Sequence, residues 1–98
     1  MEKDKGAIKI ETPKDFSVKE ADRFRKHMVG LIESGSFDFI IDFQQCQFLD
    51  STGLGVLIGI YRKCMESNGS LILTRMNADV LKVFKLTRLD RIFEIREC

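Results

Sequence analysis

Phe48-Leu49-Asp50-Ser51-Thr52-Gly53-Leu54-Gly55-Val56-Leu57-Ile58-Gly59 changes character at Asp50. Two apolar residues suited to the end of a strand give way to a short polar turn, and apolar residues then recur at helical spacing. Leu54, Leu57, Ile58, Tyr61 and Met65 share one broad face and Asn68-Gly69 supplies a stop, which predicts a helix from Leu54 to Asn68. A strand end followed by a helix start is where α/β proteins present functional groups to solvent.

Upstream, Phe37-Asp38-Phe39-Ile40-Ile41-Asp42-Phe43 is aromatic and β-branched, too short for a typical helix and bounded by turn residues, so it reads as a central strand. Gln44-Gln45-Cys46-Gln47 connects it to Phe48. Before it, Ser17-Val18-Lys19-Glu20 has the form of a capping box, in which the serine hydroxyl accepts an orphan N–H and the glutamate reaches back. Val18, Ala21, Phe24, Met28, Leu31 and Ile32 continue that helix as an apolar stripe ending near Ser34-Gly35-Ser36. Ala7-Ile8-Lys9-Ile10 reads as a brief edge strand, interrupted by Thr12-Pro13.

Downstream, Leu71-Ile72-Leu73-Thr74 is a third strand. Asn77 caps a short helix carrying Val80, Leu81, Phe84 and Leu86, and Ile92-Phe93-Glu94-Ile95 closes the chain as a strand. This alternation predicts one α/β domain spanning residues 1–98, a mixed sheet of about four strands packed against three to four helices, with right-handed crossovers.

Composition narrows the function classes. With 44% hydrophobic and 32% charged residues the chain buries enough apolar surface to fold rather than stay disordered. A net charge of +1 provides no global field for nucleic acid or anionic lipid. Cys46, Cys64 and Cys98 form no CxxC pair and leave an odd thiol, which suits reduced cysteines in a cytoplasmic protein. The charged N-terminus leads into no signal core. The apolar run Leu54 to Tyr61 is far shorter than the roughly 20 residues that cross a bilayer, so no direct membrane insertion is expected.

The polar turn invites two compatible readings. Asp50, Ser51 and Thr52 before a helix are ordinary capping residues. A hydroxyl there also faces unpaired N–H groups and the positive end of the helix dipole, so a phosphate on Ser51 is tolerated. Phosphorylation adds a charge of about −1.5 to −2 beside Asp50 and switches off binding to a surface fitted to the neutral hydroxyl, without unfolding.

Other chemistry is not indicated. Gly53-x-Gly55-x-x-x-Gly59 has a last interval one residue too long for a dinucleotide fingerprint and lies outside the first strand–helix unit, so no cofactor is expected. The glycines are expected to permit an unusual turn at Gly53 and close helix–sheet approach at Gly55 and Gly59. His27 has no ligand partner at metal spacing, and Ser51 has no identifiable base, so neither a metal nor a catalytic residue is assigned. Arg62, Lys63, Arg75, Lys82, Lys85, Arg88 and Arg91 read as a solvated face, or alternatively as a rim for an acidic partner.

Asp50 to Gly59, following Phe48-Leu49, resembles the signature of the STAS family, specifically its anti-sigma-factor antagonists. The strands Phe39–Phe43 and Leu71–Leu73, Val80-Leu81-Lys82-Val83-Phe84 with Leu86, and Leu89-Asp90-Arg91-Ile92-Phe93 follow the family order, so the resemblance spans about residues 37–96. It implies a STAS-like domain and a non-enzymatic role. It further implies that Ser51 is phosphorylated by a GHKL-type serine kinase that is itself the anti-sigma factor, that only the unphosphorylated chain binds this kinase, and that a PP2C-type phosphatase resets the switch. Asp50, Ser51, Thr52, Gly53, Leu54, Val56 and Arg62 are the implied partner contacts. The alternatives are an unphosphorylated STAS subunit of a transport complex, or a partner-switching regulator with a non-sigma output. Glu11-Thr12-Pro13-Lys14-Asp15-Phe16 departs from the family's Gly-Glu-Leu-Asp-like segment.

Overall fold

The computed structural model describes residues 6–97. The elements are β1 (Ile8–Glu11), β2 (Asp15–Phe16), α1 (Val18–Glu33), β3 (Asp38–Asp42), β4 (Phe48–Leu49), α2 (Ser51–Glu66), β5 (Ser70–Thr74), α3 (Ala78–Leu86), a 3-10 turn (Leu89–Arg91) and β6 (Glu94–Arg96). The main sheet has the order β1-β3-β5-β6, and every pairing in it is parallel. The expected mixed sheet is therefore corrected for the described residues. Each successive main-sheet strand is reached through a helix, and such a crossover returns the chain in the same direction. Leu71, Ile72 and Leu73 of β5 are buried in succession, as befits an inner parallel strand.

A second, two-stranded parallel ladder joins β2 to β4, pairing Asp15 with Phe48 and Phe16 with Leu49. Backbone N–H groups of Gln47 and Phe48 both donate to the Lys14 carbonyl, at 2.8 and 3.2 Å. The strand end expected at Phe48-Leu49 is present as β4, whereas β2, two residues long with no period to read, was not expected.

α1 begins where expected but not by the expected device. Ser17 is its N-cap in extended conformation, yet its hydroxyl makes no capping bond. Glu20 lies 3.9 Å from Arg23 instead. Ala21, Phe24 and Met28 are buried, whereas Val18 is 68% exposed and lies outside the core. α1 ends through a left-handed Gly35 (φ +99), with Gly35 and Ser36 N–H groups returning to the carbonyls of Ile32 and Leu31.

α2 starts at Ser51, three residues before the expected Leu54, and buries Gly53, Leu54, Leu57, Ile60 and Cys64. That face is rotated from the expected one: Ile58 and Met65 are more than one-third exposed. The stop is shared by two residues. Asn68 takes the left-handed conformation, and Gly69 is required because a Cβ there would lie 2.0 Å from the Phe37 carbonyl oxygen.

Asn77 caps α3 as expected, its Oδ1 accepting the Val80 N–H at 2.8 Å while its Nδ2 donates to the Cys46 carbonyl at 3.0 Å. Leu86 is 74% exposed. β6 begins two residues later than expected, because the N–H groups of Ile92 and Phe93 are taken by the Leu89 carbonyl. Edge-to-face contacts Phe43–Phe84, Phe84–Phe93 and Tyr61–Phe93 knit β3's end, α3 and α2 together.

Candidate functional site

β4 ends at Leu49, and Asp50 turns the chain with φ −117° and ψ −171°. Its Oδ1 accepts the N–H groups of Thr52 at 2.9 Å and Gly53 at 3.3 Å. Capping at this end of α2 is thus the work of a carboxylate, which also suits the helix dipole. Ser51 becomes the first helical residue, exposed to solvent, and among the described residues no hydrogen bond engages its hydroxyl.

The β2–β4 ladder sets what stands beside it. Phe16 pairs with Leu49, and one cap residue on each strand, Ser17 or Asp50, separates the ladder from the helix that follows. The register therefore brings the two helix N-termini together, Val18 opening one and Ser51 the other. Val18, Lys19, Asp22 and Arg25 share a hollow of about 510 Å³ with Thr52 and Val56.

Gly53 is the tight position. A Cβ there would meet Leu49 Cδ1 at 2.6 Å, the Phe16 carbonyl oxygen at 2.7 Å and Phe16 Cδ1 at 2.9 Å. Gly55 and Gly59 have nothing within 4 Å of such a Cβ. The expectation is reversed: Gly53 is helical and carries the close approach, while Gly55 and Gly59 face outward. The first turn of α2 lies against β2 and β4, so its inward glycine, not the later ones, meets backbone.

Asp50, Thr52 and Val56 are half-buried, Gly53 and Leu54 are buried, and Arg62 is exposed. Arg62 lies eleven residues beyond Ser51, roughly 16 Å along the helix at 1.5 Å per residue. The fold gathers Asp50 through Leu54 with Val56 and leaves Arg62 three turns away.

The neighbouring strand ends carry an ion pair between a buried carboxylate and a part-exposed guanidinium. Asp42, 1% exposed, receives Arg75 Nη2 on Oδ2 at 2.5 Å, Arg75 Nε on Oδ1 at 3.2 Å and the Gln44 N–H on Oδ1 at 2.9 Å. The Arg75 hydrogen bonds hold the carboxyl below the ordinary carboxylate range against the opposing effect of desolvation, and the Gln44 N–H assists. Arg75 adopts φ +57° and its N–H donates to the Arg96 carbonyl at 3.1 Å. It belongs to this pair rather than to the solvated face expected of it.

Burial pushes the Cys64 thiol up to about 11, helped by the charge of Asp38. Cys46 is also pushed up by burial, and its thiol donates to the Phe48 carbonyl at 3.5 Å. Both thiols are free; Cys98 lies outside the described residues. Among the described residues no group of three or more His, Cys, Asp or Glu is placed to hold a metal, and no helix is long and apolar enough to cross a membrane.

Sequence reasoning missed Val18, Lys19 and Arg25 as neighbours of the Ser51 turn. The available signal was a repeated arrangement, a large apolar residue followed by one polar residue at the cap position and then a helix start, at Phe16-Ser17-Val18 and at Leu49-Asp50-Ser51.

Against known proteins, the STAS domain model matches residues 1–97, extending through the N-terminal third. An anti-sigma-B factor antagonist of Bacillus subtilis (strain 168) is 31% identical over 88 residues, covering 90% of this chain and 80% of that protein. The crystal structure of a putative anti-sigma factor antagonist from Thermotoga maritima is similar with a TM-score of 0.80 at 25% identity, covering 92% of this chain and 73% of that one. A sulfate transporter family protein from Wolinella succinogenes shares the fold, with a TM-score of 0.81 at 19% identity over 94% of this chain and 77% of that one.

Proposed function

This chain belongs to the STAS domain family, and from that membership we propose that it is an anti-sigma-factor antagonist switched by phosphorylation of Ser51. The observation that supports this reading most is the state of the Ser51 hydroxyl. Asp50 does the capping, so Ser51 stands exposed and unbonded on the first turn of α2. Its hydroxyl is spare for chemistry.

The partner is an anti-sigma factor that is itself a GHKL-type serine kinase. The unphosphorylated chain docks through Asp50, Ser51 and Thr52 with the adjoining α2 surface at Val56. Ser51 Oγ attacks the γ-phosphorus of the kinase's ATP, the bond to the ADP leaving group breaks, and the hydroxyl proton passes to a base on the kinase. The product carries about −1.5 to −2 charge beside Asp50, where the partner fitted a neutral hydroxyl, and the complex loosens. A PP2C-type phosphatase hydrolyses the phosphoserine with water, releasing inorganic phosphate and restoring binding. The chain contributes a substrate side chain and a docking surface, not a catalytic group.

Incubation with a GHKL-type serine kinase of the source organism and MgATP, followed by intact-mass measurement, should show one added phosphate that Ser51→Ala abolishes. Ser51→Asp should weaken kinase binding while leaving the circular dichroism spectrum unchanged. No adduct, together with unimpaired binding by Ser51→Asp, refutes the switch.

A further inference from the structure

We propose that the seam between α1 and α2 is a docking slot for an acidic amphipathic helix of a partner protein. Two hollows lie end to end along this seam and share Arg25 and Val56. The first opens at Val18 and Thr52; the second, of about 210 Å³, continues past Val29, Gly55 and Gly59 to Ile32 and Lys63. From Val18 to Ile32 the seam runs roughly 21 Å at 1.5 Å per residue, the length of a four-turn helix.

The walls suit an apolar stripe. Val18 is 68% exposed and Val29 36% exposed, although both lie beside the core-facing positions of α1. The two outward glycines point the same way. Glycine is the weakest helix former after proline, and Gly55 and Gly59 return nothing to the isolated chain, because a Cβ at either would touch no neighbour. Their value lies in keeping the slot open, so that a third helix can approach the α2 backbone closely.

Charge selects the occupant. Asp22 is satisfied by Arg25 at 2.9 Å and Lys26 at 3.3 Å. Among the described residues, Lys19 at one end of the seam and Lys63 at the other carry no ion pair. A helix with glutamates or aspartates flanking its apolar stripe meets complementary charge at both ends, whereas a second copy of this chain would bring the same lysines with it. The first hollow is lined by Thr52, next to Ser51, so a phosphate on Ser51 opposes an acidic helix at that end, whereas the second hollow lies beyond the Ser51 turn.

The test uses the full chain and two synthetic amphipathic helical peptides with the same leucine stripe, one flanked by glutamates and one by lysines. Titration followed by backbone amide NMR should show the glutamate peptide shifting residues of the two seam faces, with the lysine peptide binding about tenfold weaker or less. Gly59→Leu fills the slot at an open position, so it should fold with a raised Tm and weaken the glutamate peptide by about tenfold or more. Lys63→Glu should shift preference toward the lysine peptide. The proposal is overturned if both peptides bind alike, if neither shifts the seam, or if Gly59→Leu binds as the wild type does. Concentration-dependent shifts of the seam without peptide would assign it to self-association and overturn it too.

Discussion

Replacing Gly53 by alanine adds a single methyl group at the position where α2 leans on the β2–β4 ladder. That methyl would stand 2.6 Å from Leu49 Cδ1, 2.7 Å from the Phe16 carbonyl oxygen and 2.9 Å from Phe16 Cδ1. The two side-chain carbons yield by rotation, but both residues are buried, Phe16 completely, and their rotations press on the core. The carbonyl is backbone and moves only if the ladder or the helix start moves with it. Overpacking of this kind costs about 1–3 kcal/mol, while exchanging glycine for alanine within a helix returns at most about 1 kcal/mol. The net loss is about 1–2 kcal/mol, a Tm lowered by roughly 5–15 °C for a domain of this size. Gly55→Ala is the matched control: it has the same helical gain and no clash, so it should stabilise by about 0.5–1 kcal/mol. Urea unfolding by circular dichroism, with the slope m unchanged, separates the two variants through their midpoints. A Gly53→Ala protein as stable as Gly55→Ala would show that the contacts at Phe16 do not constrain the helix start.

Asp42 links stability to acid. Its folded-state pKa lies below the unfolded one, so its contribution is fully present above the ordinary carboxylate value of about 4 and is lost as pH falls through the depressed folded value. Asp42→Asn should cost about 2 kcal/mol at neutral pH and flatten the acid limb of a stability-against-pH series; an acid limb identical to the wild type contradicts the assignment. The thiols supply a further check. In a Cys98→Ser background, Cys64 and Cys46 should resist iodoacetamide at about pH 8, close to an ordinary thiol's pKa, and react once urea unfolds the chain. Rapid labelling of the folded protein would place those thiols at the surface.

Long periodic elements were legible in the sequence because periodicity reports burial. Ala21, Phe24 and Met28 mark the inner face of α1, and Phe39 and Ile41 mark β3. Errors fell where a local signal competes with a contact distant in sequence. Ser17 and Glu20 form a capping box on paper, but no hydroxyl cap is made. A turn was expected at Gly53 and close approach at Gly55 and Gly59, and only the position of Phe16 shows that Gly53 is the one that meets backbone. Arg75 looked like one cation among many until the strand ends brought it to Asp42, thirty-three residues away. At the Ser51 turn, residue types alone left open which side chain caps. A carboxylate able to accept two N–H groups takes that role, and the hydroxyl beside it is left over.

The ladder between β2 and β4 has a consequence for how this corner of the molecule varies over generations. Its alignment is held by the Lys14 carbonyl receiving the N–H groups of Gln47 and Phe48, contacts made by main-chain atoms that any sequence supplies. Lys14, Asp15 and Val18 are exposed, so their side chains are free to drift while the spacing of the two helix starts stays fixed. Length is what cannot drift: one residue inserted between Phe16 and Val18 would turn α1 about 100° relative to the ladder. Substitution at Lys14, Asp15 or Val18 therefore alters the surface beside Ser51 without disturbing the turn that presents it, whereas Phe16 between them is fixed by burial and by its close approach to Gly53.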